Sequence, residues 1–157
     1  DDTCTWSSPF MSPDQYRDLI KPYVAREAQY ALDRNMPIVM HCCGKCETLM
    51  DDWRDFGVQM WDPAQTCNDL VGIQKKYGAN LMIAGGWDAN GRLADPDISE
   101  EEFKEITKDM IRSYAAQNVP FLFAGMIACA PDDTVNTTKN RWLTEIVESD
   151  FGKSLFK

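Results

Sequence analysis

The chain has 157 residues, 44% apolar and 26% charged, which suits one globular domain of 1–157 with a sizeable core. A formal net charge of −9 offers no basic stripe to neutralise phosphates, so a nucleic-acid partner is excluded from the expectations. No apolar run approaches the roughly 18 residues of a membrane span, and Asp1-Asp2-Thr3-Cys4 has neither the basic start nor the apolar middle of a signal peptide. The six cysteines are an even number, which a secreted disulfide framework would use. The adjacent pair Cys42-Cys43 suits such a framework poorly. The reading preferred is a reducing cytoplasm, with thiols kept for metal or catalysis.

The first element is a helix from Ser12 to about Arg34. Ser12-Pro13-Asp14-Gln15 supplies an N-cap, a proline at the first helical position and a capping-box glutamine. Pro22 predicts a kink, because it cannot donate a backbone hydrogen bond. Tyr16, Tyr23 and Tyr30 recur every seven residues and predict a packing stripe. Short apolar runs at 37–43, 58–61, 81–86 and 120–124 are too brief for helices and are bounded by Gly, Pro or Asn, so each reads as a buried strand. Between and after them, helices are predicted over 47–56, 68–77, 100–117 and 138–148, the third opened by a second capping box at Ser99. Asp51-Asp52 and Glu100 to Glu102 read as solvated helix faces, and Trp53, Trp61, Trp87 and Trp142 as core or pocket wall.

This alternation of helix and strand implies right-handed βαβ units and a parallel sheet. Parallel sheets carry their chemistry at the C-terminal ends of the strands. The residues falling there are His41-Cys42-Cys43-Gly44, Asp62-Pro63-Ala64-Gln65, Gly85-Gly86-Trp87-Asp88, and Gly125 to Pro131, which includes Cys129. One rim thus gathers the unusual polar residues, as an enzyme would.

The segment His41-Cys42-Cys43-Gly44-Lys45-Cys46 admits two functional readings. Cys43-Gly44-Lys45-Cys46 is a CxxC between a strand and a helix, the place of a thioredoxin-like dithiol, with Val119-Pro120 as its proline strand. Alternatively, residues i and i+2 of a strand share a face, so His41 and Cys43 point together while Cys42 turns away. A His and a thiolate can supply two of the three protein ligands of a catalytic Zn²⁺.

In order, Asp1-Asp2, Met11-Ser12-Pro13, His41-x-Cys43-Gly44, Asp62-Pro63-x-Gln65, Gly85-Gly86-Trp87-Asp88 and Pro131-Asp132-Asp133-Thr134 resemble the C-terminal half of the uroporphyrinogen decarboxylase superfamily. The His-x-Cys-Gly is similar to its zinc- and corrinoid-linked methyltransferase branch, which includes methylcobalamin:coenzyme M and veratrol-type O-demethylating enzymes. The resemblance implies α/β architecture with parallel βα repeats forming half of a TIM (β/α)₈ barrel, completed by a second copy or a separate N-terminal half. It implies Zn²⁺ held by His41, Cys43 and a third thiolate, for which Cys129 is the candidate; Met126 stands where the branch places its own ligand, and Cys46 and Asp88 are the competitors. It further implies a small methylated substrate or thiol positioned by Asp88 and Gln65, and a partner protein carrying the corrinoid (cobalamin). Decarboxylation fits less well, since an arginine-rich segment for tetrapyrrole carboxylates has no counterpart here. A non-catalytic half-barrel module is the remaining alternative.

Overall fold

The computed structural model describes residues 2–155; Asp1, the first of the paired aspartates, lies outside them. Four strands, β1 (Ile38–His41), β2 (Val58–Ala64), β3 (Met82–Gly86) and β4 (Phe121–Ala124), form one sheet in the order β1-β2-β3-β4. Every neighbouring pair is parallel. The helices are α1 (Pro13–Leu19), α2 (Lys21–Leu32), α3 (Met50–Asp55), α4 (Leu70–Tyr77), α5 (Glu100–Ala115), α6 (Thr134–Glu148) and α7 (Asp150–Ser154). Consecutive parallel strands joined through helices are the βα repeats of a partial TIM barrel.

The register separates the two faces of the sheet. Met40, Trp61, Ile83 and Phe121 align across neighbouring strands and face the helices. Trp61, Trp53, Leu49, Met50, Val58 and Ile83 are buried in the main core, with Trp61 and Trp53 6.5 Å apart. A second cluster under α5 and α6 stacks Phe103 between Trp87 and Trp142, so all four predicted tryptophans line core. On the other face, Val39 pairs with Met60 and Leu122 with Ala84, and Val39 and Leu122 remain 49% and 53% exposed. That apolar face corresponds to the inside of the barrel.

Several boundaries differ from expectation, each for a local reason. The first helix does not kink at Pro22 but breaks at Ile20, and Pro22 lies in the first turn of α2. Proline is tolerated there because its missing N–H has no intrahelical partner to lose. The break rotates the helical faces, so the tyrosine stripe fails: Tyr16 is buried, while Tyr23 and Tyr30 are 59% and 66% exposed. Ser12 and Gln15 do exchange both bonds of a capping box. Ser99 accepts the Glu102 N–H, but the Glu102 carboxylate turns to Arg92 instead of completing the second box. Helix α6 begins four residues early because the Asp133 side chain caps it by accepting the Asn136 N–H. Helix α7, capped by Ser149, was not foreseen.

Asp52 corrects the solvated-face reading. It is 3% exposed and accepts from Arg17 Nε at 3.0 Å and Lys21 Nζ at 2.8 Å, which ties α1 and α2 to α3. Burial raises its pKa, but the Arg17 and Lys21 bonds outweigh that and hold the carboxyl below its ordinary value. Its contribution to stability is therefore complete above the unfolded carboxyl pKa of about 3.9 and is lost as pH falls through the lower folded value. Asp52→Asn is expected to cost about 1–3 kcal/mol at neutral pH. Urea unfolding of both proteins should show that difference shrinking as pH is lowered through 4, roughly the unfolded carboxyl value; a pH-independent difference would contradict the ion-pair assignment.

Candidate metal-binding site at the strand rim

Strand β1 ends at His41, and Asp62 of β2 is its register partner, so both stand at the C-terminal rim on the open face. His41 is 56% exposed through its side chain. Cys42 turns the other way and is fully buried, with its carbonyl accepting the Trp61 indole N–H at 2.9 Å. The chain then swings back, leaving the Cys43 Sγ 3.8 Å from His41 Nε2. The two residues predicted to point together do so, although Cys43 lies just beyond the strand.

Gly44 makes this return possible. Its φ of +90° lies in the region that L side chains avoid, and a Cβ there would run into the Thr5 carbonyl oxygen.

A third group approaches from the N-terminal segment. Asp2 Oδ1 accepts the Cys43 N–H at 2.6 Å and lies 3.6 Å from His41 Nε2. The Cys43 N–H bond holds the Asp2 carboxyl below its ordinary pKa. Burial and then the Asp2 charge push the Cys43 thiol up to about 11. One ligand atom each from Asp2, His41 and Cys43 lies within 4.8 Å of the others. A tetrahedral Zn²⁺ with bonds of about 2.0–2.3 Å holds its ligand atoms roughly 3.3–3.6 Å apart. The 3.6 and 3.8 Å separations come within a few tenths of an ångström of that spacing, and an O, N, S donor set is one that Zn²⁺ accepts.

The other predicted residues fall elsewhere. Cys129 follows β4, on the far side of the sheet from β1, and is exposed beside Thr137 Oγ1 and Asn140 Nδ2, both at 3.9 Å. Among the described residues it is not grouped with His41 and Cys43. Cys46 is also fully buried, and the neighbouring Cys42 thiol, together with burial, pushes its pKa up. Gln65 and Asp88 meet: Gln65 Nε2 donates to Asp88 Oδ1 at 3.3 Å, and Asp88 Oδ2 accepts the Thr66 N–H at 2.6 Å. Asp88 is thereby occupied away from the Asp2–His41–Cys43 cluster.

These placements tell against a thioredoxin-like dithiol. Cys43 and Cys46 precede only a short 3₁₀ turn (Glu47–Leu49) and the six-residue α3, and Cys46 is fully buried. Asp2 is the member of this cluster that sequence reasoning missed. The paired aspartates were visible as a motif, but nothing in their spacing reveals that the N-terminal segment crosses the end of β1.

A cavity of about 420 Å³ lies elsewhere, between α5, β4, α6 and α7. Among the described residues its lining, which includes Ile111, Phe121, Phe123 and Val147, has no titratable side chain.

No curated protein matches the chain. The family model described as uroporphyrinogen decarboxylase (URO-D) matches residues 2–137, a span that contains all four strands and every rim residue discussed above. With nearly the whole chain inside that match, the protein belongs to the uroporphyrinogen decarboxylase family, within an enzyme superfamily of decarboxylases and methyltransferases.

Proposed function

We propose that the chain is the zinc-bearing part of a methyltransferase that exchanges a methyl group between a small methylated substrate or thiol and a corrinoid carried by a partner protein. The observation that carries this reading is the convergence of Asp2, His41 and Cys43 at the rim. His41 and Cys43 would hold Zn²⁺ together with Asp2, which replaces Cys129 as the third ligand. When bound, the ion acts as a Lewis acid that makes a thiol nucleophilic or polarises a methoxyl or amine group.

The protein's own residues supply the rest. Asp2 fixes the Cys43 backbone through its N–H and presents a carboxylate to His41. The exposed side of His41 leaves the open face of the sheet accessible to substrate and to the methyl carrier. Four further strands, from a separate N-terminal half or a second copy, would cover the apolar face bearing Val39 and Leu122 and wall the site from water. Cofactor-free decarboxylation gives the His41–Cys43 pair no task.

The test is methyl transfer between methylcobalamin and a small thiol, followed by cobalamin absorbance, with the zinc-loaded chain and its completing half. Turnover that requires His41 is expected. Turnover unchanged in His41→Ala, or absent under every zinc and partner condition, overturns the reading. A non-catalytic module would give that second result.

A further inference from the structure

The return loop that carries Cys43 is fastened to an unusual degree. Five consecutive backbone N–H groups, from Cys42 to Cys46, are each accepted by a different, non-local group. Cys42 N–H goes to Asp62 O at 3.0 Å, Cys43 N–H to Asp2 Oδ1 at 2.6 Å and Lys45 N–H to Thr5 O at 2.8 Å. The remaining two go to side chains on the loop after β2: Gly44 N–H to Gln65 Oε1 at 2.6 Å, and Cys46 N–H to Asn68 Oδ1 at 3.0 Å.

Those two side chains are themselves fixed. Asn68 is buried, and its Nδ2 donates to Gly44 O at 2.9 Å and Gln65 O at 3.0 Å, so one amide spans both loops. Gln65 uses its other end on Asp88, which also holds the Thr66 N–H. A chain of contacts thus runs from Asp88 through Gln65 to Gly44, the residue whose left-handed turn sends Cys43 back toward His41. A satisfied hydrogen-bond network rigidifies the segment it holds, and such outer partners orient the side chains of a site.

We propose that Gln65 and Asn68 are positioning residues for the Cys43 thiol, and that Asp88 acts on the site through Gln65 rather than by touching substrate. This rests on reading Asp2, His41 and Cys43 as the metal site, but its structural part can be tested without metal.

The experiment is a swap. Gln65→Glu keeps an acceptor for the Gly44 N–H but sets a carboxylate against Asp88. Adding Asp88→Asn restores a donor–acceptor pair with the roles exchanged. Two readouts are taken: amide hydrogen exchange over residues 43–46 of the metal-free protein, and Co²⁺ affinity followed by the thiolate-to-cobalt charge-transfer band. The single variant should raise Gly44 exchange and weaken Co²⁺ binding, each by about 10- to 100-fold. The double variant should return both to within about threefold of the native protein, a margin well inside that effect.

A single variant with native exchange, or a double variant worse than the single, overturns the proposal; the latter would mean that Asp88 supports the loop by a route other than Gln65. If the native protein binds no Co²⁺ while exchange follows the predicted pattern, the metal reading fails and the loop positioning stands. If the Gln65→Glu chain does not fold, Asn68→Ala takes its place, with the increase in exchange expected at Cys46, and unchanged exchange there overturns the proposal.

Discussion

Cys43→Ser is expected to lower zinc affinity by more than about 100-fold, beyond the range typical of residues that merely support a ligand. The substitution removes the only sulfur donor of the cluster and leaves the fold intact, because Cys43 is a partly exposed rim residue rather than a core one. Cys129→Ser should leave affinity within about threefold, since its sulfur lies with Thr137 and Asn140 and outside the cluster. Competition titration against a chromogenic chelator measures both. Equal losses for the two variants would return Cys129 to the ligand set and displace Asp2 from it.

The largest effect on stability is expected from Trp61→Ala, at about 3–5 kcal/mol. Trp61 is fully buried, packs against Trp53, and donates to the Cys42 carbonyl at 2.9 Å. Truncation therefore opens a cavity at the centre of the core and leaves a buried carbonyl unpaired. With a denaturant slope of about 2 kcal/mol/M, the urea midpoint should fall by roughly 1.5–2.5 M. Because Cys42 lies between His41 and Cys43, the affinity of the cluster for zinc should weaken as well. A shift below about 0.5 M would mean that the site collapses around the missing ring far better than the close packing of interiors normally allows.

Local patterns made much of this legible in the sequence. The four apolar runs are short and bounded by turn residues, and all four are strands. The strand-end rule then placed His41, Cys43, Gln65, Asp88 and Cys129 on one rim, but β1 ends at His41, so Cys43 meets His41 through the Gly44 turn and not through strand alternation. What local patterns could not convey was who bonds to whom across loops. Gln65 and Asp88 stood in the predicted region, yet their partners are Gly44 and each other. Asn68 reads in the sequence as the first residue of a helix, yet it lies ahead of α4 and bridges two loops.

Lys139 shows the same limit from another side. It occupies the buried stripe of α6 with Leu143 and Ile146, at a spacing that marks the core face. A hydrophobicity reading discards it as polar. Its ammonium instead donates to the carbonyls of Leu93 and Asp95 at 2.9 and 2.8 Å, fastening the turn after β3 to α6. Asp52 was misread in the same way, since its burial depends on Arg17 and Lys21 from another part of the chain.

The zinc reading depends on the three atoms that meet at the end of β1. Metal content by plasma mass spectrometry, on protein reconstituted with zinc and then freed of excess ion, tests it most directly. About one Zn²⁺ per chain, lost in His41→Ala and in Asp2→Ala but retained in Cys129→Ser, is the expected result. A chain that holds no stoichiometric zinc after reconstitution, or that holds it equally well without His41, contradicts the assignment.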